Sequence, residues 1–490
     1  MHKLVPATFA LALILPFGAR ADTAADVAAL RQEMDAMRAS YEARLESLEE
    51  RLRRTEAALP VAAASAPPAA MAANASPVVV ARSSAAPPAV AATAALPAVA
   101  ATVVPPPPDT GSGSGGLNAF NPSLSLILSG LYARTSQDPS RYAITGFPLP
   151  PDAQIGPGTR GFSLDESELG VAASIDPWLR GAANIAFEAD NSVSIEEAFV
   201  QTTSLGHGVS LKAGRFFSGI GYLNPQHSHT WDFVDNPLAY QAMLGTQYDD
   251  DGVQLMWLPP IDQYVEIGAE LGRGRSYPGT DTGRNGAGMN SIFAHTGGDI
   301  GDSQSWRAGV SMLDAKASAQ QLRATDTLGH VVTNAFDGST RVWIADAIWK
   351  WAPHGNATRT NFKLQGEYLH STRSGNLAYD IDGIDSAGAY RAAQSGWYVQ
   401  GVWQFMPYWR VGLRTERLDP GTPDYGLNSD VLATSGFHPH KNTLMVDFNP
   451  SEFSRVRLQF ARDQSREGVA DNEVFLQYQM SLGAHGAHSY

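Results

Sequence analysis

The 490-residue chain contains no cysteine, so disulfides are excluded and its stability must come from packing and backbone pairing. It also lacks an excess of positive charge. Its 35 Lys and Arg against 49 Asp and Glu give a formal charge of −14, which argues against nucleic acid as a partner. Beyond the N-terminus no apolar run approaches the roughly 20 residues that a membrane-spanning helix needs. The usual catalytic signatures are missing too: there is no P-loop, no His-Glu-x-x-His and no Gly-x-Ser-x-Gly, and the glycines are scattered. The chain is therefore expected to be neither an enzyme nor the holder of a cofactor. A soluble protein and a transmembrane β-barrel both survive these exclusions. Barrel strands alternate lipid-facing and lumen-facing residues and average to moderate hydropathy.

The N-terminal segments narrow the choice. Met1-His2-Lys3 is a short basic start, Leu4 to Phe17 is almost wholly apolar, and Ala19-Arg20-Ala21 offers a small-x-small cleavage pattern. Residues 1–21 read as a secretory signal peptide, too short to serve as a comfortable membrane anchor. Residues 22–59 have neither Gly nor Pro. Val27, Leu30, Met34, Met37 and Tyr41 fall three and four apart, and the pattern resumes at Leu45, Leu48 and Leu52 after a stutter. This predicts a short periplasmic coiled coil and hence a homo-oligomer, the alternative being one amphipathic helix lying on a domain. Residues 60–116 are dominated by Ala, Pro, Val and Ser and end in a Gly/Ser run; they form a linker from which no core can be built.

From Leu117 to Tyr490 the period becomes two. Leu124, Leu126 and Leu128 alternate with Ser123, Ser125 and Ser129; Trp397, Val399 and Trp403 alternate with Tyr398, Gln400 and Gln404; Val456, Leu458 and Phe460 alternate with Arg455, Arg457 and Gln459. Such alternation gives each strand one apolar and one polar face. A soluble β-sandwich would share that period, so the connections must decide. Very short joins, such as Asp176-Pro177 and Met406-Pro407-Tyr408, alternate with long polar stretches such as 219–247 and 273–303. This is the order of tight periplasmic turns and long outer loops, with aromatics such as Trp349, Trp351, Tyr408 and Trp409 at strand ends. Fifteen strands can be marked, and a sixteenth is expected within Gln321–Asn334, where the turn-and-loop order otherwise breaks. The expected fold is an all-β transmembrane barrel of about 16 antiparallel strands over 117–490, placed in the cell outer membrane and closed by a strand in phase with the terminal aromatic Tyr490.

The barrel region resembles the phosphate-selective porin family and its DcaP-like relatives. The residues that carry the resemblance are Leu211-Lys212-Ala213-Gly214-Arg215-Phe216-Phe217-Ser218-Gly219-Ile220-Gly221 followed by Trp231-Asp232-Phe233-Val234-Asp235, with Ser395-Gly396-Trp397-Tyr398-Val399-Gln400-Gly401, Trp409-Arg410-Val411-Gly412-Leu413-Arg414 and Asp447-Phe448-Asn449-Pro450. The resemblance implies a trimeric sixteen-strand outer-membrane channel with a periplasmic coiled coil. The dense arginine-lysine ladder of phosphate channels is not present, so phosphate specificity is not carried over.

Opposite the apolar strand faces stand Lys212, Lys363, Arg410, Arg414, Arg455 and Arg457, with Asp346, Glu367 and Glu416 on inward faces. A cationic row in a narrow channel favours anions, and facing acids add a transverse field; the plain alternative is a hydrated lumen without selectivity. By analogy, the loop after Arg215, the third outer one, is expected to fold inward, so that Arg215, Tyr222, His227, His229, Trp231, Asp232, Asp235 and Tyr240 line or brace a constriction. His227 and His229 with Asp232 and Asp235 are candidate metal ligands, as are His295 with Asp299 and His485 with His488; ordinary hydrogen-bonding histidines are the stronger expectation. Three functions compete: passive diffusion of small hydrophilic solutes through a homotrimeric pore, a TonB-dependent or zinc-linked metal receptor, and a structural tether between outer membrane and cell wall. The partners expected for the first are outer-membrane lipid and the solutes themselves. A receptor barrel of 22 strands holds a globular plug, whereas here only a short helix and a linker precede the barrel.

Overall fold

The computed structural model describes residues 122–280 and 285–483. The expected signal peptide, coiled coil and linker, and His485, His488 and Tyr490, lie outside the described residues. The strands are β1 (Ser123–Thr135), β2 in two pieces (Gly161–Leu164 and Ser167–Ser174), β3 (Leu179–Phe187), β4 (Val193–Thr202), β5 (Val209–Phe217), β6 (Asp249–Trp257), β7 (Tyr264–Gly272) and β8 (Met289–Ile300). They continue with β9 (Gln304–Thr325), β10 (Val331–Trp351), β11 (Asn361–Tyr379), β12 (Ser386–Met406), β13 (Trp409–Asp419), β14 (His440–Ser451), β15 (Ser454–Gln464) and β16 (Asp471–Gly483). Both pieces of β2 pair with β1, so they count as one interrupted strand. Each strand pairs antiparallel with its chain neighbours, and β1 pairs with β16 from Ser125↔Gly483 to Thr135↔Glu473. The sheet is a closed cylinder with no free edge. Among the described residues no helix is long and apolar enough to cross a membrane.

Alternation sets the two faces. Leu124, Leu128, Trp397, Val399, Trp403, Leu413, Leu458 and Leu476 are exposed on the outside, while Ser129, Gln400, Arg414, Arg457 and Gln477 point inward and are buried. A water-soluble barrel would reverse this arrangement; an outside of this kind calls for an apolar surrounding. Exposed aromatics cluster at the tight-turn end, where Trp178, Trp257, Phe405, Tyr408, Trp409 and Phe453 stand. Higher up, Tyr368 is registered against Trp397, and both are exposed. From Trp397 to Phe405 the strand rises about 26 Å at ~3.3 Å per residue. A tilt of about 40° makes that roughly 20 Å of height, close to the ~25 Å apolar band between aromatic girdles of membrane barrels.

The strand count is as expected, but the sixteenth strand is elsewhere. Residues 289–300, read as loop, form β8. Gln321–Asn334 contains no separate strand; it is the tip of one long hairpin, β9 running to Thr325 and β10 starting at Val331. The cause lies in β8's composition. Its outward positions include Asn290 and Ala294 beside Ile292, and its inward ones Met289 and Phe293 beside Ser291 and His295, so neither face is consistently apolar. Strands β9 to β12 have 19–22 residues where about 9–11 suffice to cross a bilayer, so they project beyond the apolar belt.

Candidate functional site: the lumen and its third loop

The outer connection between β5 and β6, here L3 (218–248), turns into the barrel. Its helix α1 (Leu238–Leu244) is buried along its whole length and ends at Gly245 with φ 68°, a left-handed conformation suited to glycine. Leu238, Tyr240, Met243 and Leu244 pack with Ile144, Phe147 and Leu149 of the first outer connection and with Ile344, Leu369 and Leu418 of the wall. The barrel thus has an apolar core inside its lumen, built from loops.

Polar side chains on distant strands hold L3 at three places. On β11, Glu367 accepts hydrogen bonds from the backbone N–H of Tyr222 (3.1 Å) and Leu223 (3.0 Å) and from the hydroxyls of Tyr240 (2.8 Å) and Tyr398 (2.6 Å). Asp232 pairs with Lys363 of β11 and with Arg410 of β13, which also forms a two-point pair with Asp447. Asp235 receives Arg414 Nη2, Gln459 Nε2 and Lys441 Nζ, each at 2.8 Å, and its backbone carbonyl accepts from Arg414 Nη1. Arg414 also donates to Glu416, whose other oxygen accepts the N–H of Leu238. Arg455 and Arg457 both donate to the Trp231 carbonyl. Burial pushes the carboxyls of Asp232 and Asp235 up, but Lys363 and Arg410 for the first, and Arg414 and Lys441 for the second, outweigh it and hold both below the usual carboxylate range.

A fourth contact involves histidine. The Nδ1 of His227 lies 3.2 Å from Glu168 Oε2 of β2 and 3.3 Å from Glu196 Oε2 of β4, and its Nε2 lies 3.0 Å from Glu197 Oε2. His229 Nδ1 is 3.0 Å from the same Glu168 oxygen. Burial would lower the His227 pKa, yet Glu168 and its neighbours raise it well above the usual imidazole range.

An uncharacterized protein of Aquifex aeolicus (strain VF5) is 30% identical over 353 residues, spanning 68% of this chain and 70% of the Aquifex protein. The chain belongs to that protein's family. No protein-family model matches it. Among solved structures it is similar to the outer membrane channel DcaP of Acinetobacter baumannii, 12% identical over 76% of this chain and 99% of that one, with TM-score 0.45. It is similar to an anion-selective porin from Comamonas acidovorans, 12% identical over 74% and 100%, with TM-score 0.45. It is similar also to a loop-deleted form of OmpT, an outer membrane protein of Vibrio cholerae, 10% identical over 74% and 100%, with TM-score 0.46. Likenesses at this level leave function to the chain's own residues.

Those residues are partly where the sequence puts them. Lys212, Asp346, Lys363, Glu367, Arg410, Arg414, Glu416, Arg455 and Arg457 all face inward, and L3 brings Asp232 and Asp235 to three of them, Lys363, Arg410 and Arg414. Three details differ from expectation. Arg215 lies on the outer face, paired with Asp251 at 2.7 Å and registered beside it. Lys212 is buried against the Phe199 and Phe216 rings and is not part of the L3 anchorage. Asp232 and Asp235 do not join His227 and His229; the carboxylates there are Glu168, Glu196 and Glu197 from the wall. His295 stands apart from that group, with Glu266 at 2.9 Å and Asp346 at 3.9 Å. Lys441, Gln459 and the four glutamates at 166, 168, 196 and 197 were not singled out by sequence. Their signal was weak: single polar residues at inward positions of otherwise ordinary strands.

Proposed function

We propose that the chain is an outer-membrane porin for passive diffusion of small hydrophilic solutes, with L3 setting the width of the route. The observation that carries this is the pairing of a closed sixteen-strand cylinder, apolar outside and polar inside, with a loop anchored across its lumen. Sixteen-strand barrels leave an aqueous channel, and a buried loop narrows it. The basic row is a poor argument for anion preference, since Arg410, Arg414, Lys363, Arg455 and Arg457 are committed to Asp232, Asp235, Asp447 and L3 carbonyls. The reading is therefore a size filter whose inner charges act mainly as loop anchors. A homo-oligomer is part of the proposal, resting on the heptad-like pattern of residues 22–59; three copies are what the resemblance to DcaP-like porins implies. Swelling of proteoliposomes in sugars of increasing size tests it. Entry falling smoothly with solute size supports a diffusion pore; no swelling with any solute, from a correctly folded barrel, refutes it.

A further inference from the structure

We propose that Glu168, His227 and His229 form a three-residue site for one divalent transition-metal ion of the zinc class that pins L3 to the barrel wall. The three residues come from two elements, and one ligand atom of each lies within 4.8 Å of the others. Metal–ligand bonds of about 2.0–2.2 Å at tetrahedral angles place neighbouring ligand atoms roughly 3.3–3.5 Å apart. The observed separations are 3.0 Å for His229 Nδ1 to Glu168 Oε2 and 3.2 Å for His227 Nδ1 to the same oxygen. These are the edges of a coordination polyhedron before slight expansion.

Two features separate this group from a simple imidazole–carboxylate network. First, Glu168 is 6% exposed, and the Nδ1 atoms of both imidazoles converge on its one oxygen Oε2, at 3.2 and 3.0 Å. Two ring nitrogens meeting one buried carboxylate oxygen is an arrangement that a cation of nitrogen and oxygen preference can bind. Second, charge does not balance. Glu166, Glu168, Glu196 and Glu197 crowd two histidines, and the cations nearby, Lys212 and Arg180, face Glu197 rather than the other three. Ser228 reaches Glu166, and Asn184 donates to Glu197, but neither brings charge. A divalent ion supplies it.

The outer contacts are arranged to match. The Nε2 of His227 lies 3.0 Å from Glu197 Oε2, so a ring bound to metal through Nδ1 would donate its remaining N–H to that carboxylate. This is the usual means of fixing the tautomer and orientation of a ligating histidine. His229 is held through its backbone carbonyl, which accepts from Arg455 and Gln479. Two nitrogens with a carboxylate oxygen select zinc-like ions over calcium or magnesium. Glu166 and Glu196 line a cavity of about 900 Å³, which gives an ion its way in.

The experiment uses the full chain, folded in detergent, with His485→Ala and His488→Ala to remove C-terminal histidines. Each sample is equilibrated with zinc chloride and desalted, then its zinc per chain and melting temperature are measured. One zinc per chain is expected, with a higher melting temperature. Glu168→Gln, of the same size, should bind at least about 100-fold more weakly, beyond the ~10–100-fold that loss of an outer partner costs. Cobalt in place of zinc should give ligand-field absorption that Glu168→Gln loses. If Glu168→Gln fails to fold, His227→Ala and His229→Ala carry the same comparison. Retention of no zinc by the parent, or equal retention by parent and folded variants, overturns the site. Because zinc content is read without conductance, failure here leaves the diffusion pore standing.

Discussion

Replacing Asp235 by alanine should release the middle of L3 while leaving the barrel closed. The carboxylate takes two hydrogen bonds, from Arg414 and Gln459, and an ion pair with Lys441, all at 2.8 Å. Arg414 and Lys441 are almost wholly buried, so the deletion leaves two cations facing a lost partner. Removing one member of a buried pair costs about 3–5 kcal/mol. Lys441 keeps Glu473 (2.7 Å) and Asp463 (3.4 Å), and Arg414 keeps Glu416, which places the expected cost near the lower end, ~3 kcal/mol. At about 1.4 kcal/mol per factor of ten, the loop's detached population should rise roughly 100-fold. The strands close on one another through backbone pairing that Asp235 does not touch, so the cost should fall on L3. Hydrogen exchange resolved by peptide should show faster exchange across 230–246 and unchanged exchange in β9 to β12. Single-channel records should become noisier and reach higher conductance. Asp235→Asn, which can still accept from Gln459, should fall between. Unchanged exchange in L3 for a folded Asp235→Ala protein would refute the anchoring role.

Other outcomes follow from the same geometry. Leu413→Arg, at an outward position of β13, should destabilise the barrel in lipid by about 2–4 kcal/mol in urea unfolding; on a water-facing surface the same change would cost under ~0.5 kcal/mol. Gly221→Ala should loosen L3, because its φ is 67° and a Cβ would lie 2.5 Å from Glu367 Oε2 and 2.7 Å from the Tyr240 hydroxyl. Faster proteolysis of L3, by a cost of about 1–3 kcal/mol, is the readout. Acid should act late. Asp232 and Asp235 are held below the ordinary Asp value of ~3.9, so their stabilising contribution is full above that value and fades only as pH falls through their lowered folded values. L3 protection factors, which correct for the pH dependence of intrinsic amide exchange, should thus be equal at pH 5 and pH 6; loss of protection between the two would contradict the assignment.

The barrel was legible because membrane and lumen impose opposite demands on alternate residues. In β12, β13 and β15 outward Trp, Val and Leu alternate with inward Gln and Arg; the expected and observed strands coincide within a residue or two in β13 and β15, while β12 begins at Ser386, ahead of its alternating part at 395–406. Strand β8 escaped because Phe293 faces inward, where a Cβ at Gly219 or Gly268 would collide with its ring, while Asn290 and Ala294 face out. An apolar side chain seated on two glycines is a tertiary fit that periodicity does not register. The reading of 321–334 as a strand of its own had a related cause: β9 and β10 run past the apolar belt, so their outer ends lose the alternation that marks the crossing part. For the site, loop length alone pointed to L3. Its anchors could not be read, since Glu367, Arg414, Lys441 and Gln459 lie 127 or more residues from their L3 partners. Arg215 shows the converse: one residue beyond Gly214, with φ 131°, it sits on the outer face with Asp251.

The most direct measurement is the current through single molecules of the full chain, folded in detergent and inserted into a planar lipid bilayer. Uniform steps, proportional to voltage in a symmetric salt solution and larger when L3 is released by Asp235→Ala, are the predicted result. A barrel that inserts, resists unfolding and yet passes no ions with L3 intact or released would contradict it.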